Sequence, residues 1–259
     1  MKTLAKVALS LFMSTGLVGA AAAQDTYVSG FAGLGLRSDS SNSGKLTSNF
    51  TTGTGTTIPG GTVLPSGTGL SWDTDFNAGY NLGFAFGMSA ANRFRTEVEV
   101  RYLRNDVDSH SNVRVGGGAI GSEDAGVLIT GAGNLGVSVA DVVADGRGKS
   151  SLWTFMGNAY YDFNAKGRVN PYIGGGLGYA TTQVTFKPSG VPVASDRDGG
   201  LAYQAIGGMD FGIGKHVRLF GEYRYLGTTA VKTNLSLLPG YLEIDNRFHM
   251  VNMGMRVHF

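Results

Sequence analysis

Residues 76–86, FNAGYNLGFAF, carry Phe76, Ala78, Tyr80, Leu82, Phe84 and Phe86 at the even positions and Asn77, Gly79, Asn81, Gly83 and Ala85 at the odd ones. A period of two puts alternate side chains on opposite faces of an extended chain, so the stretch predicts a β-strand with one oily face and one small or polar face. The same alternation recurs along the chain, and the three-to-four spacing of an amphipathic helix is almost absent. Eight runs are expected as strands: 27–36, 72–86, 93–104, 151–163, 171–186, 201–213, 217–227 and 247–259. The chain reads as all-β.

In the second run Trp72, Thr74 and Phe76 are expected to share the face of Tyr80 and Leu82, opposite Asp73 and Asp75. The third sets Phe94, Thr96, Val98, Val100 and Tyr102 against Arg95, Glu97, Glu99 and Arg101, and the fourth sets Trp153, Phe155 and Tyr161 against Thr154, Asn158 and Asp162. The fifth opposes Ile173, Leu177 and Tyr179 to Gly174, Gly176 and Gly178. The sixth opposes Leu201, Tyr203, Met209 and Phe211 to Gln204 and Asp210, and the seventh opposes Leu219, Tyr223 and Tyr225 to Arg218, Glu222 and Arg224. The first run, YVSGFAGLGL, is too rich in small residues to be given a phase.

Alternation alone does not say whether the oily face meets a core or a membrane. Connection lengths decide it. Long links (37–71, 105–150, 187–200, 228–246) alternate with short ones (87–92, 164–170, 214–216), as in an up-and-down barrel with brief periplasmic turns and long outer loops. Phe84, Phe86, Phe94, Tyr161, Phe163, Phe211 and Phe259 fall at the short-turn ends, while Trp72, Tyr102, Trp153, Tyr179, Tyr203 and Tyr225 fall near the long loops. Two such aromatic belts suit the two faces of a bilayer. Within lipid an open sheet edge leaves backbone groups unpaired, so the strands must close. The expected fold is a closed antiparallel eight-stranded up-and-down transmembrane β-barrel, its oily face toward lipid.

The chain has 259 residues and no Cys, which removes disulfides and thiolate metal sites. Lys2 and Lys6 precede an apolar run and a small-residue exit at Ala21-x-Ala23, so residues 1–23 read as a signal peptide cleaved between Ala23 and Gln24, leaving 24–259 as one barrel domain. Without Lys2 and Lys6 the exported chain has 21 − 2 = 19 basic against 19 acidic side chains, a neutral balance that argues against a nucleic-acid partner.

The segments WTFMGNAYYDFNAKGRVNPYIGGGLGYA (153–180), LAYQAIGGMDFGI (201–213), LFGEYRYL (219–226) and MVNMGMRVHF (250–259) resemble the outer-membrane β-barrel family that includes OmpA-like barrels, opacity-type proteins and alphaproteobacterial major surface antigens. The resemblance covers most of 72–104 and 151–259; loops 37–71 and 105–150 match nothing familiar. It implies insertion by the outer-membrane assembly machinery, which reads a terminal strand ending in an aromatic residue, here Met253, Met255, Val257 and Phe259. OmpA continues into a peptidoglycan-binding domain, whereas this chain stops at Phe259, so a cell-wall anchoring role is without support.

An eight-stranded barrel is just wide enough for side chains to fill. Arg95, Glu97, Glu99 and Arg101 on the third strand and Glu222 and Arg224 on the seventh give three charges of each sign, on strands half a circumference apart, expected to pair across the lumen as a structural plug. A gated ion path through the same pairs is the alternative. Enzymatic activity is not expected. Some small barrels modify lipid A with a Ser and a His on one strand face, but in Ser109-His110-Ser111 the neighbours point to opposite faces, and His249 and His258 are an odd nine residues apart. No cofactor or metal is expected; glycine runs such as GGGLG open no helix and are expected to make room for lumen arginines or allow curvature.

Loop 37–71 has 22 Gly, Ser or Thr among 35 residues and is expected to be mobile, because it cannot bury enough apolar surface to order itself alone. Loop 105–150 is more apolar and is expected either to extend a hairpin above the membrane or to form a short helix beginning near Asn134. The expected role is structural and surface-exposed, in contact with outer-membrane lipids and lipopolysaccharide. The alternatives are a narrow porin-like channel for small solutes and an adhesin or ligand binder that meets a host or extracellular partner through the loops.

Overall fold

The computed structural model describes residues 23–38, 40–90, 93–144, 148–186, 194–229, 231–235, 237–244 and 246–259. Except for Ala23, the leader expected at 1–23 lies outside the described residues. Eight strands carry the fold: β1 (Ala23–Arg37), β2 (Gly79–Ala90), β3 (Phe94–Val115), β4 (Gly148–Asp162), β5 (Val169–Phe186), β6 (Ala194–Gly212), β7 (Val217–Thr228) and β8 (Arg247–His258). Each pairs antiparallel with the next. The first and last strands pair from Tyr27↔His258 to Arg37↔Phe248, which closes the barrel. Closure leaves every strand with two hydrogen-bonded neighbours, as hydrocarbon demands.

The faces follow the alternation. Phe84, Val98, Phe155, Leu177 and Leu219 point outward, while Asn81, Arg95, Glu97, Glu99, Arg101, Thr154 and Asn158 are buried inside. The first strand acquires its phase from its partners: Tyr27, Ser29 and Phe31 face the lumen, and Val28, Leu34 and Leu36 face out. The outer belt contains Tyr80, Tyr102 and Trp153, with ring centroids 6.3 and 5.0 Å apart, and the inner belt contains Phe94, Tyr161 and Phe163, 5.3 and 5.2 Å apart.

The expected second run, 72–86, is two elements. Strand Gly69–Phe76 ends before Asn77–Ala78, and β2 starts at Gly79. An irregularity in the pairing of Asp75 and Phe76 with β3 marks the break. As a result Thr74 is buried rather than outward, Phe76 lies under the Arg37 guanidinium at 4.0 Å, and Trp72 sits in the sheet above the barrel rather than in a membrane belt. Continuous alternation across 77–78 hid the change because a bulge shifts the phase without interrupting the pattern.

Several strands outrun the bilayer. The outer part of β3 pairs with Gly69–Phe76, which pairs with Ser40–Leu46, then Gly240–Ile244, then Val231–Asn234, building a sheet above the barrel mouth. Loop 37–71, expected to be mobile, is therefore structured. Its Leu46, Phe50 and Leu70 form a buried cluster with Leu64, Val115, Leu235 and Leu238. Its composition describes the loop alone, whereas apolar partners from two other loops supply what it lacks.

Loop 105–150 does both things expected of it, with one displacement. It prolongs β3 to Val115, then forms a 3-10 turn at Ala125–Leu128 and a helix, α1, at Val139–Ala144. The helix begins at Ser138, not near Asn134: Ser138 Oγ accepts from the Asp141 amide at 3.1 Å and donates to the Asp141 carboxylate at 2.6 Å. Asn134 instead accepts from the Gly136 amide in a local turn at 2.9 Å.

Candidate functional site

The lumen is filled in layers that follow the inward positions of successive residue pairs. Nearest the short turns, Arg95 Nε donates to Asp162 at 2.7 Å, and Arg256 Nη1 donates to both oxygens of Asp210 at 2.6 and 2.8 Å. Glu97 lies 3.6 Å from both Arg95 and Arg256 and accepts from the hydroxyls of Tyr27 and Tyr160 at 2.8 Å each.

One step outward, Arg224 Nη1 donates to Glu99 at 2.5 Å across the barrel, while Arg224 Nε donates to Glu222 at 2.6 Å and Arg101 Nε donates to Glu99 at 3.0 Å. Asn81, Asn158, Gln204 and Asn252 complete the layer: Asn81 accepts from Arg101 at 2.8 Å, Asn158 donates to Glu99 at 2.9 Å, Gln204 donates to Asn158 at 2.6 Å, and Asn252 donates to Glu222 at 3.2 Å. The Phe31 ring lies 4.4 Å from the Arg101 guanidinium carbon and 5.4 Å from that of Arg224. Such charges are tolerated out of water because each is paired and hydrogen-bonded.

The six charges singled out in the sequence thus lie in two adjoining layers: Glu99, Arg101, Glu222 and Arg224 in one, Arg95 and Glu97 in the other. Asp162, Asp210 and Arg256 also belong to the network and were not among them. The signal was present: Asp162 and Asp210 occupy the polar phase of their runs, and Arg256 alternates with the outward Met255 and Val257.

Above the charges comes an apolar layer. Leu103, Leu152, Met156, Ala180, Ala202, Leu226, Phe248 and Met250 form one buried cluster. These residues are inward neighbours of the outer belt, and their oiliness on the lumen phase breaks the simple rule of oily outside and polar inside. Above them Arg37 Nη1 donates to Ser150 at 2.8 Å, and its guanidinium faces Phe76 and Phe248.

Inward glycines make room for aromatic rings rather than for arginines. A Cβ on Gly83 would stand 2.5 Å from the Phe31 ring, and one on Gly208 would stand 2.6 Å from the Tyr172 ring. Those rings in turn pack against the guanidinium groups; Tyr172 lies 4.9 Å from that of Arg95.

Outside the membrane, the two longest loops are clamped together. Glu123 accepts from the amides of Thr57 at 2.8 Å and Ile58 at 3.2 Å and from the Thr57 hydroxyl, and these bonds hold its carboxyl below the usual range. Thr54 N donates to Ala132 O at 2.9 Å, and Ile58 packs on the cluster of Ile120, Ala125, Val127 and Val139. Asp124 accepts from the amides of Leu135, Gly126 and Gly136 at 2.8, 2.8 and 2.7 Å, which likewise depress its carboxyl.

The candidate catalytic residues are occupied elsewhere. His110 Nδ1 bonds Thr74 Oγ1 at 2.8 Å while Ser109 Oγ donates to Asp75 at 3.0 Å. His249 bonds Tyr223 on the outer wall at 2.6 Å, and His258 bonds Asp25 at 2.7 Å. Among the described residues no group of three or more His, Cys, Asp or Glu is placed to hold a metal.

A closed strand cylinder with an oily exterior, aromatic belts and a lumen filled by paired charges defines a transmembrane barrel of the bacterial outer membrane. The chain belongs to the outer membrane protein beta-barrel domain family, whose model matches residues 8–259. It is 25% identical over 184 residues to an uncharacterized protein of Brucella abortus (strain 2308), over 68% of this chain and 59% of that protein. It is 26% identical over 188 residues to an uncharacterized protein of Brucella suis biovar 1 (strain 1330), over the same shares of each. The chain thus spans about three-fifths of the length of the curated relatives it matches. In fold it is similar to the outer membrane protein OprG from Pseudomonas aeruginosa, with a TM-score of 0.52, 15% identity, and coverage of 91% of this chain and 96% of that one.

Proposed function

We propose that this outer-membrane barrel is a sealed, non-enzymatic scaffold that presents a structured platform of outer loops at the cell surface. The observation that carries this reading is the double filling of the lumen, with the Glu99–Arg224 layer below and the Leu103, Leu152, Leu226 and Phe248 layer above. A hydrated path for a small solute would have to break buried ion pairs and also wet an apolar layer, and each step is costly. The environment this reading supplies is outer-membrane lipid, with lipopolysaccharide beside the belt of Tyr80, Tyr102 and Trp153. The outward Met253 and Met255 of the last strand, with the exposed Phe259 that follows it, fit an assembly signal for the outer-membrane insertion machinery.

Recordings in planar bilayers test the scaffold. It requires a flat baseline across the voltage range, and a large steady conductance rejects it in favour of a porin-like channel.

A second reading, an adhesin or ligand binder, is favoured by the clamp between loops 37–71 and 105–150, since a preorganised surface loses less entropy on binding. Cells displaying the protein with residues 117–144 excised separate the two readings: unchanged attachment to host surfaces leaves the scaffold, and lost attachment assigns recognition to the platform.

A further inference from the structure

The short-turn end of the barrel, periplasmic in this topology, opens into a cavity of about 730 Å³. Six cationic side chains line it: Arg93, Arg95, Lys166, Lys215, Arg218 and Arg256. Three carboxylates, Asp25, Asp162 and Asp210, line it as well, and a fourth, Glu97, lies just behind the wall 3.6 Å from Arg95 and Arg256, so fixed charge here is in excess by two positives. The carboxylates are already engaged: Asp162 with Arg95 and Asn170 at 2.7 and 2.9 Å, Asp210 with Arg256 at 2.6 Å, and Asp25 with His258 at 2.7 Å.

The cations are not matched in the same way. Among the described residues Arg93, Lys166 and Lys215 make no ion pair, and the one carboxylate Arg218 approaches is Asp210, with its Nε 3.9 Å away, while its Nη2 donates to the Gly167 carbonyl at 3.0 Å. Three guanidinium nitrogens of this wall, Arg95 Nη2, Arg218 Nε and Arg256 Nε, are buried without a hydrogen-bond acceptor among the described residues. Arg95 and Arg256 are almost completely buried. A concave wall with surplus positive charge and donors lacking acceptors is complementary to a group that is all acceptor, because guanidinium forks bind planar or tetrahedral oxyanions through paired hydrogen bonds.

We propose that this periplasmic vestibule is a binding site for a phosphate-bearing anion. Lys166 and Lys215, on exposed turns at the rim, attract the anion, and Arg218 with the outer edges of Arg95 and Arg256 receives it. The site dead-ends on the filled lumen, so its occupant stays on the periplasmic side. It does not depend on whether the lumen above conducts, and its failure would leave the scaffold reading intact.

The test is calorimetric titration of inorganic pyrophosphate into the full chain, folded in a zwitterionic detergent at low salt. Saturable one-to-one binding that weakens with added salt is expected. K166Q/K215Q, confined to the two exposed turns and harmless to the barrel, is expected to weaken it about tenfold, the effect of removing two charges several ångströms from a dianion. R218Q is expected to weaken it further, while K45Q/R114Q, in the outer loops, is expected to leave it unchanged. Repeating the titration in phosphatidylcholine discs with and without phosphatidylglycerol distinguishes the sources of phosphate: competition by the charged lipid assigns the site to a headgroup, and its absence assigns it to a soluble anion. Absence of saturable binding, undiminished affinity in K166Q/K215Q, or loss in K45Q/R114Q overturns the proposal.

Discussion

Arg224 on β7 reaches across the lumen to Glu99 on β3, bringing Nη1 and Oε2 to 2.5 Å with both side chains buried. The same Glu99 accepts from Arg101 at 3.0 Å, so one carboxylate holds two guanidinium groups together. Glu99→Gln would leave those like charges facing each other out of water and is expected to cost about 3–5 kcal/mol. The measurement is the urea midpoint of the barrel in lipid vesicles, followed by tryptophan fluorescence. An unchanged midpoint would show that the pair does not hold the strands.

The apolar layer makes a separate contribution. Phe248 is buried among Leu103, Leu226 and Met250, and Phe248→Ala is expected to destabilise by about 3–5 kcal/mol through lost transfer energy and a residual cavity. The baseline in planar bilayers should stay flat, because the ion-pair layer below is untouched. A steady current in this variant alone would mean that the charged layer does not seal.

Glu123 ties one loop to the other through Thr57 and Ile58. Glu123→Ala is expected to raise hydrogen exchange at the Thr57 and Ile58 amides at least tenfold while the urea midpoint of the barrel stays where it was. Its carboxyl is held low, chiefly by the Thr57 hydroxyl. The clamp should therefore be fully present above the ordinary carboxylate range and be lost only as pH falls through the lower folded value.

His110 sits in the outer sheet, where burial pushes its imidazole down from 6.5 to about 4. The unfolded segment then binds a proton that the folded one refuses, so platform stability should fall as pH drops from about 6.5 to about 4 and level off below that. The full effect is at most about 3 kcal/mol. Limited proteolysis of the outer loops across this range checks it, and His110→Gln should flatten the profile. A wild-type cleavage rate that is constant from pH 7 to 4 would place His110 in a wetter environment.

Much of this barrel could be read directly. The phase of β3 is explicit because Arg95, Glu97, Glu99 and Arg101 alternate with Phe94, Val98 and Val100, and only one arrangement keeps four charges out of lipid. The inward charges of β3 and β7 were legible for the same reason, but of the six only Glu99 and Arg224 pair between those strands; Arg101 and Glu222 pair along their own strands with Glu99 and Arg224, and Arg95 and Glu97 meet Asp162 and Arg256. Asp162, Asp210 and Arg256 were as visible in phase, but a single charge on a strand names no partner until the strands are set around the cylinder.

Sequence by itself determined the number of membrane strands, the lipid face of strands such as β3 and β4, and the presence of charges in the lumen, because a period of two in a medium without hydrogen bonds admits few solutions. Tertiary structure alone decided the rest. The phase of Tyr27 and Phe31 came from pairing with β2 and β8, since small residues on both faces carry no signal of their own. The break at Asn77–Ala78, the oily upper lumen around Phe248, and the ordering of loop 37–71 by Glu123 and by Leu235 and Leu238 all depend on contacts between residues far apart in the chain. Local pattern fixes which way a side chain points; only the closed assembly fixes what it meets there.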